Sequence, residues 1–117
     1  MTYRMASEDF DVAVEEAIGR LPHDIRRLLD NVAIFVEAEP PPGDEELLGV
    51  YEGTPLPERD EAWAGVLPDR IVIFQGPLER LSTSRPELLR EIGVTVAHEV
   101  GHYFGIDDAR LHELGWG

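Results

Sequence analysis

Two histidines four residues apart stand in the run HEVGHYFGIDD, which extends from His98 to Asp108. Residues at this spacing share one face of an α-helix, so the imidazoles of His98 and His102 can bind one ion. Zinc takes three protein ligands in a catalytic site and leaves its fourth position to water. Glu99 can reach that water and act as a general base. The pattern therefore predicts metal-assisted hydrolysis.

A third ligand is expected after a turn, because one helix gives only two ligands to a tetrahedral ion. Gly105 permits a sharp turn, since glycine accepts a positive φ angle without a Cβ clash. Asp108 follows in the pattern H-E-x-x-H-x-x-G-x-x-D. We predict His98, His102 and Asp108 as the ligands of a Zn²⁺ cofactor, although such a site could also accept other divalent ions.

The same run also fits an ordinary amphipathic helix with incidental histidines. Apolar residues recur on one face of this helix, at Leu89, Ile92, Val96, Val100 and Tyr103. Asp107 or Asp108 would then be only the N-cap of a final helix, or one could cap while the other binds. His112 is either a partner of the Asp108 carboxylate or, as we prefer, an exposed polar residue. No role is assigned to His23.

The elements that must position these residues begin with helices. Helical spacing of apolar residues predicts a helix from Ser7 to Leu21, and Pro22 suits the first turn of a short second helix through Leu29. Residues with high strand propensity then occur in three segments, VAIFVEAEP from Val32, LLGVYEG from Leu47 and RIVIFQ from Arg70 to Gln75. Thr54 to Asp69 is expected to be an exposed loop, with Trp63 as a candidate anchor.

Helices return after the third strand. Gly76 and Pro77 are expected to end that strand, and Leu78 to Leu81 to form a helical turn. Ser84 opens a capping box, SRPE, for the histidine helix. The remaining predicted boundaries are Arg85 or Pro86 to about Phe104 for this helix, and Asp107 or Asp108 to Leu114 for the last one. The order of elements predicts an α+β domain, with a small sheet packed against the histidine helix.

Composition excludes several classes of function. A chain of 117 residues, 43% of them hydrophobic, is expected to fold as a single domain, 1–117. The absence of Cys leaves His, Asp and Glu as metal ligands, and the net charge of −14 argues against nucleic acid or an anionic membrane as a partner. No signal peptide or membrane-spanning run is evident, so a cytoplasmic location is expected. The sequence does not indicate the oligomeric state.

The sequence resembles the small bacterial zincin-like metallopeptidases called minizincins. The resemblance rests on HEVGHYFGIDDARLHELGWG and, more weakly, on RIVIFQGPLERL. It implies a minimal zincin-like fold, a peptide or protein substrate, His98, His102 and Asp108 as metal ligands, and Glu99 as the catalytic acid/base. Asp108 stands where metzincin-type peptidases carry a third histidine, and this variant is also similar to the snapalysin pattern.

The sequence departs from larger metzincins, which carry a methionine turn after the third ligand. Here the only methionines are Met1 and Met5, and nine residues follow Asp108. The lower wall of a substrate cleft is therefore expected to be almost absent. A peptide is expected to lie along an edge strand, for which Arg70 to Gln75 is the candidate.

Three functions are compatible with these features. The leading hypothesis is a zinc-dependent peptidase with Glu99 as the general base. The second is a non-catalytic or degenerate zincin domain that only binds zinc. The third is a metal-dependent endoribonuclease, because GIDD is similar to the G-x-D-H ending of bacterial rRNA-maturation nucleases. Glu99 and the acidic composition both disfavour this third hypothesis.

Overall fold

The computed structural model describes residues 2–29, 31–55 and 69–115. The elements of these residues are α1 (Ser7–Gly19), α2 (His23–Arg27), β1 (Val32–Glu37), β2 (Gly49–Glu52), β3 (Asp69–Phe74), α3 (Gln75–Leu81), α4 (Arg85–Tyr103) and α5 (Asp108–Glu113). The α+β class and the three-stranded sheet predicted from the sequence are confirmed. Trp63 and most of the predicted loop lie outside the described residues.

The sheet is mixed, with the strand order β1-β3-β2. β1 is parallel to β3, whereas β2 is antiparallel to it. The prediction that Arg70 to Gln75 forms an edge strand is therefore wrong, because this segment is almost all of the central strand. Four consecutive apolar residues from Ile71 to Phe74 are buried, which is typical of a strand covered on both faces. The edge strand beside α4 is β2.

α4 packs against both α1 and the sheet, and the hydrophobic core lies between them. The predicted apolar face of α4 is correct at Ile92, Val96, Val100 and Tyr103, all of which are buried. Leu89 is only partly buried, and its neighbour Leu88 is fully buried. The core-facing side at the start of α4 is therefore shifted by one residue from the prediction.

The start of α4 follows the predicted capping chemistry. The Ser84 side chain accepts a hydrogen bond from the Glu87 backbone N–H at 3.2 Å. The Glu87 carboxylate accepts in return from the Thr83 backbone N–H at 2.7 Å, one residue earlier than in the usual capping box. These bonds satisfy amide groups that have no partner within the helix.

No helix in the described ranges combines the length and apolar character needed to span a bilayer.

The segment after β3 differs from the prediction. Gly76 and Pro77 do not separate a strand from a helical turn, because α3 begins directly at Gln75 and contains both. Proline is compatible with the first turn of a helix, where its missing N–H would have no partner in any case. The Gln75 side chain donates to the Met5 backbone carbonyl at 3.0 Å, which joins the start of α3 to the N-terminal segment.

Candidate metal centre

α4 places His98 and His102 side by side. Their Nε2 atoms are 3.0 Å apart, and their ring planes are nearly perpendicular, at 88°. The side chains are 22% and 26% exposed, so most of each side chain is buried. This is the arrangement expected for two ligands one helical turn apart.

A turn at Gly105 returns the chain to the histidines. Gly105 has a φ angle of +82°, in the left-handed region that favours glycine. Asp108 is the first residue of α5, and its Oδ1 lies 3.0 Å from the Nε2 atoms of both His98 and His102. The structure thus brings together all three residues predicted as ligands.

The donor set fits zinc. Three ligand atoms about 2.1 Å from a tetrahedral zinc ion lie about 3.4 Å from one another. The triangle of two Nε2 atoms and Asp108 Oδ1 has sides of 3.0 Å, so a few tenths of an ångström of outward movement would accommodate the ion. Two neutral imidazoles and one carboxylate are ligands that catalytic zinc sites use. His98, His102 and Asp108 could therefore hold a divalent metal.

Neighbouring backbone groups orient this triangle. His102 Nδ1 lies 3.0 Å from the Ile106 carbonyl oxygen. A carbonyl can only accept, so Nδ1 donates and Nε2 keeps its lone pair for a metal. Asp107 caps α5, because its side chain accepts from the Arg110 backbone N–H at 2.9 Å. The two adjacent aspartates thus differ in position, since one caps the helix and the other faces the histidines.

The sequence interpretation missed two residues that hold α5 in place. Leu111 is fully buried, although the other residues of α5 are exposed. A Cβ atom added at Gly101 would lie 2.5 Å from Leu111 Cδ2, so the absence of a side chain at Gly101 lets α5 pack closely on α4. A glycine inside a helix is usually destabilising, and this was the signal that Gly101 had a packing role.

Glu99 lies beneath the histidines and against β2. It is 6% exposed, and its carboxylate accepts a hydrogen bond from the Tyr51 backbone N–H. Burial raises the pKa of Glu99 above its usual value, while His98, His102 and the Tyr51 amide partly oppose this shift. Gly49 permits the close contact, because a Cβ there would lie 3.3 Å from Glu99 Cγ. The predicted general base is therefore held by the edge strand.

Comparison with known proteins agrees with this geometry. The family model described as zincin-like metallopeptidase matches residues 29–116, which cover three quarters of the chain and include the histidines and Asp108. The chain belongs to the zincin-like metallopeptidase family. A metal, usually zinc, is characteristic of zincin-like proteins. The narrower similarity to the snapalysin pattern stays a prediction.

A solved structure shares the overall fold of this chain. It is a conserved hypothetical protein from Thermus thermophilus, 28% identical to this chain with a TM-score of 0.58. The alignment covers 94% of this chain and 97% of that one. No curated protein matches the chain.

The zincin-like centre is open to solvent on two sides. A cleft of about 410 Å³ lies between α4 and the segment that enters β2, and His98 and Glu99 form part of its wall. A second cleft of about 320 Å³ is bordered by His102, Tyr51 and the turn at Gly105. The Asp108 side chain is 81% exposed, so it forms the outermost side of the metal-binding triangle.

The other two histidines lie outside this centre. His112 is exposed on α5, and among the described residues no hydrogen bond joins it to Asp108. The preferred prediction of an exposed polar residue is therefore correct. His23 begins α2 and is also exposed.

Proposed function

We propose that this zincin-like chain is a zinc-dependent peptidase, with His98, His102 and Asp108 as metal ligands. The observation that carries the proposal is the convergence of two Nε2 atoms and Asp108 Oδ1 at 3.0 Å, with the Glu99 carboxyl group buried beside them. The chemistry that zinc supplies in such a site is the polarisation of the scissile carbonyl and the acidification of a water molecule.

Glu99 acts as the proton carrier in this proposal. Its carboxylate takes a proton from the attacking water as the water oxygen bonds to the carbonyl carbon. The same carboxyl group then gives that proton to the nitrogen of the leaving amine, and the C–N bond breaks. The Tyr51 backbone N–H holds the carboxylate in one orientation, so that its free oxygen can face the substrate.

The substrate is proposed to bind along β2, which takes the place of the segment first expected for this role. β2 pairs with β3 on one side only among the described strands. The Tyr51 N–H points to Glu99, away from β3, so alternate residues of β2 turn their backbone groups toward the open edge. An extended peptide can pair with the edge-facing groups other than the Tyr51 N–H and place a carbonyl beside Glu99.

A comparison of the wild type with Glu99→Gln tests this function. The substitution keeps the shape of the side chain and removes its ability to accept a proton. We expect zinc binding to persist in calorimetry, and the hydrolysis of a fluorogenic peptide library to fall by at least about 100-fold. Equal hydrolysis by both proteins would show that Glu99 is not the base.

A zinc-binding domain without catalysis is the second candidate, and the exposure of Asp108 favours it. A centre that is 81% exposed at one ligand gives little enclosure to a substrate on that side. The same experiment separates the two candidates. If both proteins bind zinc and neither cleaves any peptide, the domain binds metal for another purpose. The net charge of −14 supports a partner that is neither nucleic acid nor an anionic membrane.

A further inference from the structure

The cleft beside His98 and Glu99 has two kinds of wall. Apolar side chains from the two sides of the cleft line its length, at Leu47, Leu48 and Val94. Two carboxylates, Glu46 before β2 and Glu91 on α4, also line it. Glu91 is only partly exposed. A long side chain with an apolar stem and a charged end would match both kinds of wall.

Among the described residues, no cation balances the charges of Glu46 and Glu91. Neither carboxylate forms an ion pair or a side-chain hydrogen bond with any other described residue. Arg80 lies near Glu46 in an adjoining cleft, but both of its terminal nitrogens are bound to Glu39 at 3.0 Å. Arg90 follows Glu87 on the helix surface and pairs with it at 3.9 Å. The cleft therefore carries a local negative charge.

We propose that this cleft binds an arginine or lysine side chain next to the scissile bond, so that the enzyme prefers basic peptides. This inference rests on the proposed peptidase function. The apolar wall contacts the methylene groups, and Glu46 and Glu91 accept charge-assisted hydrogen bonds from the cationic end. The net charge of −14 acts in the same direction, because an acidic surface attracts cationic substrates and a cleft concentrates that field.

Matched peptides test the preference. They carry arginine, norleucine or glutamate at each position that flanks the scissile bond and are otherwise identical. Norleucine keeps an unbranched apolar stem and lacks the charge. For the zinc-loaded wild type we expect kcat/KM to be about tenfold higher with arginine than with norleucine at low salt, and lowest with glutamate. The ratio should fall in 0.5 M salt, because surface charges are then screened within about 4 Å.

Three variants locate the source of the preference. Glu91→Gln and Glu46→Gln each remove one negative charge without a change of shape, and each should lower the arginine-to-norleucine ratio severalfold. Glu15→Gln removes the same charge from α1, beside β1 at the other edge of the sheet, and should keep the wild-type ratio. Circular dichroism would establish that all three variants are folded.

Peptide binding to zinc-loaded Glu99→Gln, measured by fluorescence anisotropy, separates this inference from the function on which it rests. If the wild type cleaves no peptide but Glu99→Gln still prefers the arginine peptide, the inference stands and the peptidase proposal fails. If the wild type cleaves all peptides at equal rates and binding is also equal, the inference is overturned and the peptidase proposal stands. Cleavage with a preference that Glu46→Gln and Glu91→Gln leave unchanged would also overturn it.

Discussion

The two sides of the candidate metal centre are held by different amounts of structure. His98 and His102 lie on a 19-residue helix whose apolar face is part of the core. Asp108 lies on a six-residue helix that has one buried side chain, Leu111. The histidines are about one quarter exposed, and Asp108 is 81% exposed. The comparison shows that the proposed zinc binding requires two firmly held histidines and also a third ligand that few contacts hold in place.

The largest effect on zinc affinity is expected from a change to the histidine side of the centre. His102→Ala removes one of the three described residues that could hold the metal, so zinc affinity should fall by more than about 100-fold. The fold should persist, because His102 lies on the surface side of α4 and its apolar face stays intact. Calorimetry on metal-stripped protein would measure the affinity, and circular dichroism the fold. Tight binding by this variant would contradict the assigned ligand set.

Truncation of Leu111, the buried side chain of α5, tests how firmly the Asp108 side of the centre is held. Leu111→Ala should lower the free energy of unfolding by about 2–4 kcal/mol, because a fully buried leucine is replaced by a cavity. Zinc affinity should fall as well, since Asp108 then loses its fixed position. Denaturant unfolding with and without zinc would measure both effects. A loss of stability with unchanged zinc affinity would show that α5 is positioned by other contacts.

A pair of glycines on the same helix sharpens the comparison. A Cβ at Gly101 would meet Leu111, whereas a Cβ at Gly93 has no atom within 4 Å. Gly93→Ala should therefore stabilise the protein by about 0.5–1 kcal/mol, through helix propensity alone. Gly101→Ala should gain nothing and should weaken zinc binding about tenfold by displacing α5. Thermal unfolding and zinc titration of both variants would show whether they differ in this way.

The smallest effect is expected at the exposed pair of Glu39 and Arg80. Hydrogen bonds from Arg80 lower the pKa of Glu39 below its usual value. A lowered pKa in the folded state stabilises the protein above the unfolded value, and this contribution is lost as the pH falls through the folded value. The stability difference between the wild type and Glu39→Gln should thus be small near neutral pH and disappear as the pH falls through the folded pKa of Glu39. Unfolding curves at several pH values would test this.

The parts of the fold that could be predicted from the sequence are those that local residue patterns determine. The boundaries of α4, its cap at Ser84 and the turn at Gly105 depend on residues within a few positions of one another. The proximity of Asp108 to the histidines was also predictable. The two histidines are one helical turn apart, and the turn at Gly105 then brings Asp108 back toward them.

Long-range contacts account for what the sequence did not reveal. The strand order, which makes β3 central and β2 the edge, depends on pairing between distant segments. Asp69 was expected in a loop, but it begins β3 as a buried carboxylate and accepts from the Tyr51 hydroxyl. The contact between Gly101 and Leu111 likewise depends on how two helices pack, which no local pattern specifies.

The claim that His98, His102 and Asp108 bind zinc is tested most directly by calorimetric zinc titration of metal-stripped protein. The titration compares variants of two adjacent aspartates. Asp108→Asn removes the proposed ligand charge, while Asp107→Asn keeps a side chain that can cap α5. The three-ligand site predicts one equivalent of zinc bound by the wild type and by Asp107→Asn, with affinity more than about tenfold weaker for Asp108→Asn. No binding by the wild type, or equal affinity in all three proteins, would contradict it.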